Sequence, residues 1–484
     1  MGDSARIPAA PTSSPSPNPS GGQQRSSGND ARDRMVARFR RVRSATGTIA
    51  GRLSVEDRMV QSLPEASPAK WHLAHTSWFL ERHILAPFLP GYACVDDRLD
   101  ALFRSGTGGM GLGATSLGAT GPLPREADVD WRRSPSRPGQ EEVARWRDQV
   151  NAAVLRLIAE APAERWPQIC RWLDLALLHE ARHQERLLAD IKHAFWTNPL
   201  RPAYLPTQPA ALAAAAEVGW IDHPGGEVAI GHAGPGIAPD LEKPRHTVTL
   251  PPFRLAGRLV TCAEFEEFIA EGGYRSPAYW SPEGWIARTR GGWTAPLYWE
   301  KRGGLWHHFT LTGTRLVDGE EPVCHVSLYE AQAFAAWSGA RLPTEAEWEA
   351  LAPAGAGAVE TAASPIPNSV PGAAATLLES GRLHPAPAAV PARTGSPRPL
   401  QMIGDAWEWT GDAFRPYPGQ RPGPLAAGQP PPPPPGRMAL RGGSALTPGE
   451  AVRRTTRLAL PPDARWQMTG IRLATDAVPT RRSD

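Results

Sequence analysis

Cysteine is scarce in this chain, with only Cys94, Cys170, Cys262 and Cys324 among 484 residues. The four are widely spaced and form no Cys-x-x-Cys pair, which excludes a disulfide framework and a thiolate zinc site and suits a reduced cytoplasm. A surplus of one charge is also missing. With 52 Lys+Arg against 49 Asp+Glu, the formal net charge of +3 gives no reason to expect nucleic acid or a membrane surface as partner. No run approaches the roughly 18 uninterrupted apolar residues of a membrane span, and the N-terminus lacks the apolar core of a secretory leader. The expectation is a soluble, cytoplasmic protein whose oligomeric state the sequence does not set.

What the chain has in quantity is 53 Pro and 47 Gly, which imply much irregular backbone, and 18 Trp, which imply aromatic-lined packing or pockets. Its length suggests two or three domains, each able to bury a core. Residues 1–30, rich in Pro, Ser and Gly, hold too little apolar surface to offset the entropy of ordering and read as a disordered tail. From 31 to 205 the pattern is helical. Asp57-Arg-Met-Val-Gln-Ser-Leu63 continues a first helix. A second runs from Ala69 to about Leu85, with Ser67 as N-cap and Pro68 at the first helical position. A third, at about 140–160, places Val143, Trp146, Val150, Val154, Leu157 and Ile158 at helical spacing, and a fourth ends before Asn198-Pro199.

Four such helices, with a long Gly-rich connection at 104–139, predict a four-helix bundle, whose core is where metal sites are built from facing helices. That connection is no phosphate loop, because no strand precedes it and no Gly-Lys-Ser/Thr follows. Residues 206–219 read as a linker. Residues 220–476 read as an α+β domain of short strands, such as Glu227-Val-Ala-Ile-Gly231 and His246-Thr-Val-Thr-Leu250, with helices at 262–271, 328–339 and 344–352. Pro/Ala/Gly-rich stretches near 353–398 and 419–436 are expected to be floppy surface insertions.

The fourth helix carries His179-Glu-Ala-Arg-His183. Residues four apart share a helix face, so two imidazoles here can hold one metal ion, and a catalytic metal takes about three protein ligands with open positions. The third ligand must come from a facing helix. On the second helix His72, His75 and His83 are candidates, and spacing does not choose between His72 and His75. Three imidazoles suit Fe(II), Zn or Ni about equally. For Glu180 and Glu185, solvated helix charges and a role orienting an imidazole weigh the same.

Pro64-Glu-Ala-Ser-Pro-Ala-Lys-Trp-His-Leu-Ala-His-Thr-Ser-Trp-Phe-Leu-Glu81 and His179-Glu-Ala-Arg-His-Gln-Glu-Arg-Leu-Leu-Ala-Asp-Ile-Lys-His193 together resemble the N-terminal, DinB-like bundle of the hercynine oxygenases (ergothioneine sulfoxide synthases). Pro322-Val-Cys-His-Val-Ser-Leu-Tyr-Glu-Ala331, Gly339-Ala-Arg-Leu-Pro-Thr-Glu-Ala-Glu-Trp-Glu349, Gly404-Asp-Ala-Trp-Glu-Trp-Thr410, Leu440-Arg-Gly-Gly-Ser444 and Thr469-Gly-Ile-Arg-Leu473 resemble the formylglycine-generating-enzyme-like fold, a C-type-lectin-like (sulfatase-modifying-factor) domain. The resemblance covers most of 55–475. It implies iron(II) held by His75, His179 and His183, with O2 used to join a thiol sulfur, from cysteine or γ-glutamylcysteine, to C2 of hercynine as a sulfoxide. His72 is then a packing histidine or a partner to a ligand, and His83 a surface one. Arg341, Glu345, Glu347 and Trp348 belong to motifs that recur with the fold and are structural. Formylglycine generation is disfavoured, since no cysteine follows Cys324.

The chain departs from the family in its substrate residues. Where relatives carry a tyrosine pair it reads Phe103-Arg-Ser-Gly-Thr107, leaving Tyr417 as a replacement proton donor. Arg125, Arg132, Arg133 and Arg137 are candidates for a thiol substrate's carboxylate. Arg182, where Gln is common, sits awkwardly beside a trimethylammonium unless it pairs with the substrate carboxylate, and Arg457 opens Arg457-Leu-Ala-Leu460, which lacks the family's following Asn. Two other readings stand beside this one: a selenoneine synthase that joins a selenosugar to hercynine, and a non-catalytic ligand-binding protein with a vestigial metal site.

Overall fold

The computed structural model describes residues 20–103, 136–206, 219–234, 236–353, 375–389, 398–429 and 432–477. Residues 207–218 of the linker expected at 206–219, most of the Gly-rich connection, and Arg125, Arg132 and Arg133 lie outside these. Of the tail read at 1–30, residues 1–19 lie outside as well, and the backbone from Ser20 onward is the start of the first helix.

Helices α1 (Ser20–Gly51), α2 (Ala69–Leu80), a short α3 (Leu99–Phe103), α4 (Gln140–Glu160) and α5 (Trp166–Thr197) make the N-terminal region. The stripe expected on α4 is buried from Val143 to Ile158, because apolar residues three and four apart face one side. α2 packs on α4 and α5, and α1 packs on α5 and α4. Two boundaries differ from expectation. α1 stops at Gly51, and Asp57–Met59 forms a separate short turn, in which Ser54 Oγ accepts from Asp57 N–H (3.1 Å) and Asp57 Oδ2 from Ser54 N–H (3.3 Å). Such local side-chain bonds compete with helix. At the start of α2, Pro68 itself takes the cap position, while the Ser67 N–H donates to Asp190 on α5 at 2.9 Å.

The C-terminal domain holds β1 (Trp220–His223), β2 (Gly226–Ile230), β3 (His246–Leu250), β4 (Phe253–Ala256), α6 (Cys262–Ala270), β5 (Trp299–Arg302), β6 (Leu305–Thr310), β7 (Gly313–Leu316), α7 (Leu328–Trp337), α8 (Glu345–Leu351), β8 (Trp407–Ala413), β9 (Met438–Arg441), β10 (Arg457–Leu460), β11 (Thr469–Gly470) and β12 (Ala474–Asp476). They form small sheets ordered β1-β4-β12, β10-β9-β8-β11, β2-β3 and β5-β6-β7. Helices α6, α7 and α8 each begin with a reciprocal capping box, Thr261 with Glu264, Ser327 with Glu330, and Thr344 with Glu347, while a further helix, Pro282–Gly291, is capped by Ser281 alone. The motif residues behave structurally, as expected. Arg341 grips Glu347 with two bonds of 2.8 Å, Arg472 grips Glu408 (2.7 and 3.1 Å), and Trp348 is fully buried.

The stretches read as floppy insertions are not so where they are described. Leu377, Leu383, His384 and Ala388 are buried in the first, and Gly428 in the second. Their low-complexity composition hid a few anchoring residues. One apolar core continues from Leu173, Leu177 and Phe195 of the helical region into Phe309, Ala406 and Met468 of the C-terminal domain. Among the described residues, no helix is long and apolar enough to cross a membrane.

Glu180 shows what holds the helices in register. Its carboxylate takes Arg43 (2.9 Å), Arg147 (2.6 Å) and Thr46 (2.8 Å) in a fully buried knot. Burial pushes this carboxyl up, but the two guanidinium charges prevail and bring it down to about 2. A depressed folded value contributes stability that is present above the unfolded value of about 4.3 and is lost as pH falls toward 2. Glu180→Gln strands two buried cations and should cost about 3–5 kcal/mol in urea denaturation at pH 7. The gap between wild type and variant should close as the pH drops through that window; a constant gap would show that the charge of Glu180 is not what stabilises.

Candidate metal centre

His75 on α2 and His179 and His183 on α5 each bring one ring nitrogen to within 4.8 Å of the others, and all three are buried. The expected set thus converges from two helices. His75 Nε2 and His179 Nε2 face each other at 2.9 Å. Outer contacts decide which nitrogen of two of these rings is available. The Phe103 carbonyl, at the end of α3, lies 2.7 Å from His75 Nδ1. A carbonyl only accepts, so Nδ1 carries the proton and Nε2 keeps its lone pair for a ligand.

His183 is set by a longer chain of bonds. Asp190 Oδ2 lies 3.1 Å from His72 Nε2, and His72 Nδ1 lies 2.8 Å from His183 Nδ1. A carboxylate only accepts, so the proton of a singly protonated His72 is on Nε2. Its Nδ1 lone pair then accepts from His183 Nδ1–H, which leaves His183 Nε2 bare. Carboxylate, imidazole and ligand imidazole in series are the arrangement that orients metal-bound histidines. His72, which spacing alone could not separate from His75, stands one layer behind the cluster.

Burial pushes His75 down to about 3 against the opposing Phe103 bond, and pushes His179 and His183 well below the usual histidine range, with their imidazole neighbours adding to it. All three are neutral at physiological pH, the form that binds metal. The walls are aromatic. Trp71 stacks on His75 at 4.5 Å and Phe79 on His179 at 4.3 Å. His83 lies in a π-helical turn (Glu81–Leu85) continuing α2. It is half-buried, stacked on Trp172 at 5.9 Å and against Phe79 at 4.6 Å, instead of at the surface. The C-terminal domain closes this wall at Gly428, where a Cβ would come within 2.6 Å of the Trp172 ring and 3.0 Å of Leu175. Only glycine allows that approach.

The two glutamates of the motif face neither solvent nor imidazole: Glu180 joins the arginine knot, while Glu185 accepts from Trp407 Nε1 (2.6 Å) and Ser444 Oγ (2.8 Å) of the other domain. Arg182 lies 3.6 Å from Glu242, which also takes Arg453 (2.6 and 3.1 Å) and Thr455 (2.8 Å). Arg457 grips Glu345 (2.9 and 2.6 Å) and lies 4.0 Å from the ring of Tyr417, whose hydroxyl accepts from Arg441 at 3.4 Å. Burial pushes the Tyr417 phenol up. Arg137 sits near Glu142 at 3.7 Å on an exposed surface. The residues missed from the sequence are Asp190 and Glu242. Asp190 had a signal, since it falls two helical turns after His183 on the same face.

Residues 208–477 match the family model of the sulfatase-modifying factor enzyme 1-like domain. The chain belongs to that family. This family domain covers the whole C-terminal α+β unit, and its relatives divide in name. A hercynine oxygenase of Mycolicibacterium smegmatis is 40% identical over 189 residues, covering 38% of this chain and 42% of that protein. One from Mycolicibacterium thermoresistibile is 36% identical over 247 residues, covering 49% and 54%. A formylglycine-generating enzyme of Streptomyces coelicolor is 31% identical over 227 residues, covering 41% and 70%. The chain therefore spans about half the length of the hercynine oxygenases it matches.

Removing the bond that orients a ligand should weaken metal binding without abolishing it. His72→Ala and Asp190→Asn should each lower metal affinity about 10–100-fold in chelator competition, whereas His179→Ala should lose stoichiometric metal. Unchanged affinity in both orienting variants would remove the relay from the site.

Proposed function

We propose that this chain is a cytoplasmic, mononuclear non-haem iron(II) enzyme that uses O2 to join a thiol sulfur to C2 of hercynine. The overall change is balanced: hercynine C2–H, a thiol R–SH and O2 give the C2–S(O)–R sulfoxide and one water. The observation that carries the reading is the convergence of His75, His179 and His183, with the tautomers of His75 and His183 set by Phe103 and by the Asp190–His72 pair. Similarity to two hercynine oxygenases supports the substrate class. The helical region would then be the DinB-like bundle of that family.

Bound there, iron(II) would supply O2 activation, and three protein ligands leave room for substrates. The chain's own residues do the rest. The rings of Trp71, Phe79 and Trp172 give a cationic trimethylammonium an aromatic wall. The Gly428 contact shuts that wall from outside, which keeps water from the reacting groups. Arg182 and Arg457 stay candidates for the substrate carboxylate and Tyr417 for the proton donor; each would have to act from within the ion pairs described above. The free thiols of all four cysteines agree with a reducing compartment.

The iron-loaded protein incubated with hercynine, O2 and either cysteine or γ-glutamylcysteine should yield the sulfoxide by mass spectrometry, and His179→Ala should yield none. No product with either thiol sinks the thiol chemistry. Product with a selenosugar alone would make the enzyme a selenoneine synthase, and a protein that takes up neither iron nor O2 would be a binding protein with a vestigial site.

A further inference from the structure

A second cluster with ligand geometry lies in the C-terminal domain. His308 on β6, Glu321 in the turn before Pro322, and His384 in segment 375–389 each offer one ligand atom within 4.8 Å of the others. They are 3%, 2% and 6% exposed, so bulk solvent does not serve them. His384 Nε2 is 3.3 Å and His308 Nε2 4.0 Å from the same oxygen, Glu321 Oε2. The imidazoles meet edge to face, centroids 4.8 Å apart and planes at 83°. Among the described residues, His308 Nε2 and both nitrogens of His384 have no hydrogen-bond partner. One ring nitrogen on each of two imidazoles, left without a hydrogen bond beside the same buried carboxylate, is costly, and native interiors satisfy such groups.

We propose that His308, Glu321 and His384 form a second metal site, a buried structural site for a zinc-type divalent ion that pins segment 375–389 to β6. Two imidazoles and one carboxylate are a borderline-soft donor set suited to zinc. Bonds of about 2.0–2.1 Å in a tetrahedron set ligand atoms roughly 3.3 Å apart. The His384–Glu321 pair already has that separation, while His308 Nε2, at 4.0 Å from the same oxygen, has to close in on it. Arg315 is the competing cation: its Nη2 lies 2.7 and 2.8 Å from the two oxygens of Glu321. It approaches as a hydrogen-bond donor, and each carboxylate oxygen keeps a second lone pair. Lys192, a second cation nearby, is engaged by His325 Nε2 at 2.7 Å and lies over the Tyr298 ring, and Arg382 also acts on His384. Burial keeps His308 and His384 neutral, as ligands must be. The fourth position is left for water. The ligands come from three separate stretches of chain, which is what a structural ion joins.

The site is independent of the iron reading, and metal counting separates them. The full chain, loaded with iron and then titrated with Co(II), should take up one further equivalent with the intense visible bands of tetrahedral cobalt, and zinc should displace it. His384→Gln and His308→Gln should each lose that equivalent and retain the iron, while His179→Ala should lose the iron and keep it. If either cluster variant does not fold, the wild-type titration decides alone. No further equivalent, or one that survives both cluster substitutions, overturns the proposal and leaves a buried water as the occupant; failure of the iron site alone would remove iron and leave the cobalt signal in place.

Discussion

Between His179 and Lys192, α5 is enclosed on nearly every side, although that stretch is dense with ionisable groups. A buried charge or polar group is tolerated only with a partner, and each of these groups finds one on a different element. Glu180 reaches Arg43 of α1 and Arg147 of α4. Gln184 donates to the Val42 carbonyl (2.9 Å) and Thr46 (3.0 Å). Glu185 and Arg182 reach across to Trp407, Ser444 and Glu242, Asp190 holds His72 and the Ser67 amide, and Lys192 meets His325. A rotation or slide of this helix would break several of these at once. The histidine pair inherits its fixed orientation from that requirement.

The same constraint explains what could be read in advance. The helical pair at 179 and 183 and the apolar stripe of α4 are local periodicities, legible because a helix repeats every 3.6 residues. Capping chemistry at Thr261, Ser327 and Thr344 is likewise local. Choosing His75 over His72 is not, since the two lie three residues apart on one helix and differ in what faces them from α5 and α3. Glu180 and Glu185 look alike on a helical wheel and take different partners, one within the helical region and one in the other domain. His308, Glu321 and His384 carry no spacing signal at all, because the β5-β6-β7 sheet and a stretch bounded by low-complexity sequence bring them together. Composition misled at 419–436, where one glycine's lack of a side chain mattered more than the prolines around it.

Arg182 was the residue in the motif that most disturbed a cationic substrate reading, as a positive charge beside a trimethylammonium. Glu242 changes that account. Burial draws the Arg182 guanidinium down to about 10, opposed by the charge of Glu242, while burial would raise Glu242 and Arg453 with Arg182 holds it down to about 2. Two arginines thus share one carboxylate supplied by the C-terminal domain, and the Arg182 charge still contributes to holding His179 low. The C-terminal domain brings Arg453 together with Glu242, so docking gives Arg182 a buried ion partner and leaves the group with a net positive charge. Since Glu185 is satisfied only by that same docking, through Trp407 and Ser444, the two domains are joined by buried polar bonds on either side of His183. Separating them would take away the buried partners of Glu185 and Arg182, so the stretch of α5 that carries His183 is held from both domains.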